Sequence, residues 1–274
     1  MTKLKTWRGR IAALGGCAIL LLAGCAGGRE PAAALTPEMR DRMTASDEPD
    51  AVKRGRARMD LAAAYFGRGQ MTTALDQIKL SIQADPTSYR AFNLRGLIYG
   101  NLGETVLAEE SFRRALQINP ADADTMQNFG WTLCQQRRYD EADGLFRQAL
   151  AIPNYRDASR TLLTQGICQA KSGKLPEAEG TLGRAYELEP TNPATAVNLS
   201  EVLYQRGEYE RARFYIRRVN SEQNYSNAGT LWLAARIENR LGNRQGALDF
   251  GRQLLNRFPD ARESALFERG AYDE

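Results

Sequence analysis

The feature that most constrains this chain is a recurrence of small residues in pairs twelve positions apart. The pairs are Ala62/Ala74, Gly96/Ala108, Gly130/Ala142, Gly166/Ala178, Ser200/Ala212 and Ala235/Ala247, and every position holds Gly, Ala or Ser. Successive pairs step along the chain by 34, 34, 36, 34 and 35 residues. Such a pair marks the place where two helices joined by a tight turn cross, and where a large side chain would force them apart. A unit this short buries its apolar face only against its neighbours, so the copies must stack around one continuous core.

The remaining positions keep the same register. A large apolar residue stands four places after the second small one, at Ile78, Phe112, Phe146, Leu182 and Ile216, and only the sixth unit departs, with Gly251. Three places further stand Ser81, Ala115, Ala149, Ala185, Val219 and Leu254. Gly69, Gly103, Gly173, Gly207 and Gly242 occupy the turn between helices, where a left-handed helix-ending residue is wanted. Pro86, Pro120, Pro190 and Pro259 stop the second helices. Pro153 comes one residue early and is followed by a two-residue expansion, and the fifth unit carries Asn224 instead, so the third junction should have an altered loop and the fifth a weaker stop.

This is the pattern of the tetratricopeptide repeat (TPR). It predicts an all-α fold, a right-handed superhelix without strands, built from six helix-turn-helix units over residues 55–261. The units are 55–88, 89–122, 123–156, 159–192, 193–226 and 228–261. Residues 262–274 read as a short closing helix in which Leu266 and Phe267 cover the last repeat, as solenoid ends require.

The first 24 residues read differently. Lys3, Lys5, Arg8 and Arg10 precede an uncharged stretch over residues 11–24, too short to span a bilayer as a helix of ~20 residues. It has the length of a signal-peptide core. Leu22-Ala23-Gly24-Cys25 then resembles the bacterial lipobox, which implies diacylglycerol on the Cys25 thiol, cleavage before it and acylation (typically palmitate) of the new amine. Several acyl chains at ~0.8 kcal/mol per buried CH₂ give a lasting anchor. Cys17 has too short an apolar run before it for the same role. Ala26 follows Cys25, not the aspartate associated with inner-membrane retention, so the resemblance favours the periplasmic face of the outer membrane. Residues 25–54 are rich in Ala, Gly, Pro and charge and read as the lipidated terminus and a flexible tether.

Charge and composition remove other classes. The formal net charge is +4, and the four basic residues of the targeting segment account for all of it. The remainder is formally neutral, without the basic excess of a nucleic-acid binder. The chain has no histidine, which removes the commonest general base and metal ligand. Among Cys17, Cys25, Cys134 and Cys168 there is no CxxC pair. Neither a metal, a cofactor nor a catalytic centre is expected. Glu109/Glu110 and Glu177/Glu179 lie early on second helices, where acidic residues suit the helix dipole, and read as structural. An oxidising periplasm permits a Cys134–Cys168 bridge. The two occupy different repeat positions, so the expectation is two buried thiols that do not face each other.

In TPR folds the first helices line a concave groove. Mapping the groove positions gives Met59, Phe66, Asn93, Leu97, Asn101, Gln127 and Trp131 in the first half, Leu163, Ile167 and Val197 in the middle, and Glu201, Tyr204, Trp232, Arg236 and Arg240 at the far end. Apolar residues interleaved with amides suit a peptide segment of another protein. Phe66, Leu97, Leu163, Ile167 and Val197 serve equally well as packing between repeats, whereas Trp131 and Trp232 are better anchors. Arg236 and Arg240 stand one helical turn apart, suited either to a carboxylate or to a solvated face.

Signal, lipobox, tether and six repeats form the layout of the PilF/PilW family of type IV pilus biogenesis lipoproteins, the pilotins. Asn128-Phe129-Gly130, the run Arg138-Tyr139-Asp140-Glu141-Ala142, the irregular junction after Ile152-Pro153 and the segment Leu203-Tyr204-Gln205-Arg206-Gly207-Glu208-Tyr209 carry the resemblance. It implies an outer-membrane lipoprotein that binds the pilus secretin subunit and promotes its localisation or multimerisation, and the chain is expected to be monomeric when free. A TPR scaffold for peptidoglycan hydrolases or for outer-membrane assembly shares the layout. An enzyme with attached repeats has no residues left for a catalytic domain, and a cytosolic co-chaperone would lack the signal segment.

Overall fold

The computed structural model describes residues 49–273. Cys25, with the signal and most of the tether, lies outside the described residues. The described part contains thirteen helices and no strand. The helices are α1 (Asp50–Gly67), α2 (Met71–Ala84), α3 (Tyr89–Asn101), α4 (Thr105–Ile118), α5 (Ala123–Gln135), α6 (Tyr139–Leu150), α7 (Ala158–Lys171), α8 (Leu175–Leu188), α9 (Pro193–Gln205), α10 (Tyr209–Asn220), α11 (Ala228–Arg240), α12 (Arg244–Arg257) and α13 (Arg262–Glu268). None of them is long and apolar enough to cross a membrane.

Each odd-numbered helix from α1 to α11 packs against the helix that follows it, and each even-numbered one also touches the next odd one. First helices approach one another closely in succession from α1 to α11, whereas the backbones of second helices stay further apart and α8 meets α10 through long side chains, as in Tyr186–Tyr215. The first helices therefore form the closer-spaced inner layer of the TPR superhelix and the second helices the outer layer, which makes the inner face concave.

The small pairs set that spacing. A Cβ on Gly96 would lie 2.6 Å from the Phe112 ring, on Gly130 2.9 Å from Phe146, and on Gly166 2.5 Å from Leu182. The large residue of each second helix thus sits in the notch left by the small residue of its own first helix. Phe112, Phe146, Leu182 and Ile216 are fully buried there. In the fifth repeat Ser200 uses its hydroxyl to donate to the Ala212 carbonyl at 2.9 Å, so the notch stays small and its polar atom is satisfied. The sixth repeat inverts the scheme. Gly251 offers the notch on the second helix, and the Phe267 ring of α13 fills it.

Caps and turns define the ends. Ser88, Asp122, Asn192 and Asn227 accept backbone N–H bonds at the starts of α3, α5, α9 and α11. At the turns within repeats Gly69, Gly103, Gly173, Gly207 and Gly242 have φ of 73–80°, and Arg137 takes the same left-handed conformation at φ 63° in the third repeat. For a residue with a Cβ that conformation costs on the order of 1–2 kcal/mol. Two junctions are longer than the others, residues 151–157 and 221–227. The first contains Asn154 at φ 57°, and Tyr155 bridges it to Asp124 on α5 and Thr161 on α7.

Three expectations need correction. Helix α1 opens at Asp50, so residues 50–54 are helical and not tether. Asp50 lies in its first turn, where a carboxylate favours the helix N-terminus. The closing helix ends at Glu268, because Gly270 at φ 69° turns the chain back. Cys134 and Cys168 are joined as a disulfide with Cα atoms 5.8 Å apart. Equal repeat positions are 36 residues apart at this junction, but facing residues of neighbouring first helices are 33 to 37 apart, as in Arg160–Gln127 and Gln127–Thr164. The two cysteines, 34 apart, fall inside that window.

Candidate functional site

The centre of the concave face lies on α5 and α7. Gln127, Asn128, Trp131, Arg160, Leu163, Thr164 and Ile167 line an open cleft there of about 240 Å³. Their spacing explains the grouping, since residues three and four apart share a helix face. A row of polar side chains lies there in two hydrogen-bonded sets. The Asn128 amide donates to Asn93 Oδ1 at 3.2 Å, Arg160 donates to Gln127 Oε1 at 3.2 Å, and Gln127 Nε2 lies 3.5 Å from Thr164 Oγ1. Trp131 stands half-buried beside this row, with the Lys171 ammonium 5.2 Å from its ring centroid. The cleft therefore offers one large aromatic surface flanked by groups able to exchange hydrogen bonds with a peptide backbone.

The predicted groove residues divide into five places. Gln127, Trp131, Leu163 and Ile167 meet in the central cleft, and Asn93 reaches its edge through Asn128. Phe66 packs half-buried with Met59 and Tyr65 against the core of the first repeat, and Leu97 against the Phe112–Phe129 cluster, so neither enters the cleft. Val197 packs against the core of the fourth to sixth repeats. Tyr204, Trp232 and Arg236 gather at the far end with Arg240. There the occupant is the chain's own C-terminus, whose Tyr272 stacks on Trp232 with centroids 5.3 Å apart.

Asn128, Arg160, Thr164 and Lys171 were not among the residues mapped from the repeat positions. Arg160 was legible as the residue one turn before Leu163 and Thr164, but its reach to Gln127 depends on the stagger of α5 against α7. Arg160 also lies 3.5 Å from Asp124 and 3.7 Å from Asp157, which holds its guanidinium at the cleft rim. The acidic residues read as dipole partners have nearer ones. Glu109 pairs with Arg113 and with Arg138 of the next repeat, and Glu179 with Arg206 and Arg211 of the next repeat. Glu238, fully buried on α11, is held by Arg217 at 2.6 Å and by the Asn243 amide at 2.7 Å. These carboxylates tie repeats together.

The TPR family matches residues 89–122, 123–152 and 169–231. The type IV pilus assembly protein PilF of Pseudomonas aeruginosa is 26% identical over 212 residues, covering 77% of this chain and 84% of that protein. Among solved structures, the type IV pilus biogenesis factor PilW superposes with a TM-score of 0.73 at 31% identity, covering 78% of this chain and 97% of that one. The P. aeruginosa PilF structure superposes with a TM-score of 0.69 at 24% identity, covering 81% of this chain and all of that one.

Proposed function

This chain belongs to the PilF/PilW family of type IV pilus biogenesis factors, and on that premise we propose that it is a non-catalytic pilotin. In this reading it is an outer-membrane lipoprotein, anchored through Cys25, that binds the pilus secretin subunit and promotes its localisation or multimerisation. The observation that carries the binding half is the open cleft between α5 and α7. Trp131 supplies the kind of anchor that dominates interface energies, and the row formed by Asn93, Asn128, Gln127 and Thr164 supplies donors and acceptors for an extended segment. The membrane half rests on the sequence up to Ala26 alone.

The test is an immunoblot of the secretin from unheated outer membranes of a deletion strain. The strain is complemented with wild type, Cys25→Ala or Trp131→Ala. Heat-resistant multimers should vanish in the deletion, return with wild type, and be reduced by Trp131→Ala at equal protein level. Cys25→Ala should move the protein out of the membrane fraction. Unchanged multimers in the deletion strain would sink the proposal and assign the chain to another envelope complex.

A further inference from the structure

The C-terminal end of the concave face is already occupied by a segment that contacts it as a bound peptide would. After α13 the chain turns at Gly270, and the Ala271 and Tyr272 amides bond back to Leu266 and Gly270 at 3.0 Å each. Three contacts then fix the tail to α11. The Tyr272 ring stacks on Trp232 at 5.3 Å and 22°, with the Phe267 ring edge-on at 6.2 Å. Arg236 Nε donates to the Tyr272 carbonyl at 3.2 Å, while its guanidinium lies 4.5 Å from the Tyr204 ring centroid. Arg240 donates through Nη2 to the Asp273 carboxylate at 2.6 Å and through Nε to the Tyr204 hydroxyl at 3.4 Å. Burial pushes the Tyr272 hydroxyl above its usual pKa, as its place against Trp232 requires.

The platform and its occupant are unequal in firmness. Trp232 and Tyr204 are buried, at 5% and 7% exposure, and sit on long helices inside the solenoid. The Asp273 side chain is 80% exposed, and Tyr272 belongs to no helix. An exposed ion pair and one ring stack form a hold that an exchanging ligand can break. The three contacts also specify a chemistry: an aromatic side chain for Trp232, a main-chain carbonyl for Arg236, and a carboxylate on the next residue for Arg240. The two arginines give the site a positive charge that Asp273 complements.

We propose that this end of the groove is a second binding site, for a protein segment carrying an aromatic residue followed directly by an acidic one, and that Tyr272-Asp273 covers it until such a segment displaces it. The site is separate from the central cleft, and its failure would leave the secretin reading standing.

The experiment uses the full chain in detergent and a fluorescein-labelled peptide, Gly-Ala-Tyr-Asp-Glu, read by anisotropy. A covered site lowers apparent affinity by the fraction of time it is open, so a chain ending at Gly270 should bind the probe about tenfold or more tightly than wild type. Tyr272→Ala in the full-length chain should have the same direction of effect without shortening it. Arg240→Ala in the chain ending at Gly270 should abolish the gain, as should replacing the tyrosine of the probe by alanine. A melting curve for the shortened chain close to that of wild type establishes that α13 still caps the solenoid. Equal affinities for covered and uncovered chains, or no binding to the uncovered chain, would overturn the proposal. A wild-type dimer that becomes monomeric on truncation would overturn it too, by placing the tail in a second copy.

Discussion

The centre and the C-terminal end of the concave face are written in one register and are used differently. Trp131 on α5 and Trp232 on α11 are both aromatic residues on inner helices. Trp131 stands half-buried at an open cleft, whereas Trp232 is 5% exposed beneath Tyr272. The centre is held covalently and by an ion pair across its junction, through Cys134–Cys168 and Lys174–Asp140, and Arg138–Glu109 ties it to the repeat before. The end is held by side chains of the cap, Phe267 against Gly251 and Tyr272 against Trp232. A repeat fold can thus leave one stretch of its groove rigid and free while its last stretch serves as both cap seat and covered surface.

The largest effect that would break this comparison is in stability. Trp232→Ala removes a buried ring from the terminal core and should cost about 3–5 kcal/mol, read as a lower denaturant midpoint in circular dichroism. Trp131→Ala should cost less, about 1–2 kcal/mol in the same measurement, because its ring is only partly buried. Equal losses would mean that the central cleft is a structural seam and not a free surface.

Replacing Cys134 and Cys168 together by alanine comes next. The bridge closes a separation of 34 residues, and its loss should lower stability by about 2–4 kcal/mol. The drop should appear equally on reduction of the wild type. An unchanged midpoint would show that packing alone sets the stagger of α5 against α7.

The solenoid itself was legible because steric necessity is written locally. Gly96, Gly130 and Gly166 can be read as notches from the sequence, and each meets the large residue of its own repeat. The fold class follows from those twelve-residue pairs without any knowledge of the tertiary contacts. Contacts between repeats were less legible, since they depend on a stagger that no single repeat encodes. That is why the disulfide was missed and why Asn128 and Arg160 escaped the groove mapping. The tail was illegible for another reason. Tyr272 and Asp273 follow no repeat, and nothing in their own sequence says that the turn at Gly270 aims them at Trp232.

Gly251 tests the end of the molecule more finely. A methyl group there would collide with the Phe267 ring, so Gly251→Ala should destabilise by about 1–3 kcal/mol and loosen α13. Gly180 on α8 is an exposed helical glycine with nothing near its Cβ position, and Gly180→Ala should stabilise by about 0.5–1 kcal/mol. Thermal melts of the two variants should therefore move in opposite directions. If Gly251→Ala is also neutral or stabilising, Phe267 does not fill the notch and the cap is looser than described.

The smallest effect concerns the central junction in acid. Lys174 donates across it to Asp140 at 2.7 Å and holds that carboxyl below its ordinary 3.8, and within the third repeat Arg138 holds Glu141 below 4.5 by the same means. A carboxyl with a depressed folded pKa contributes stability that is complete above its unfolded value and is lost as pH falls through the folded one. The contribution should therefore be flat near neutrality and fade only below about pH 4. Both pairs are exposed, so salt should mask most of it. Asp140→Asn should flatten the acid limb of the melting temperature at low ionic strength and leave the neutral value within about two degrees of wild type. A larger neutral loss would mean that this ion pair holds the third and fourth repeats together as firmly as the disulfide beside it. An unchanged acid limb would leave the clamp at the centre purely covalent and steric.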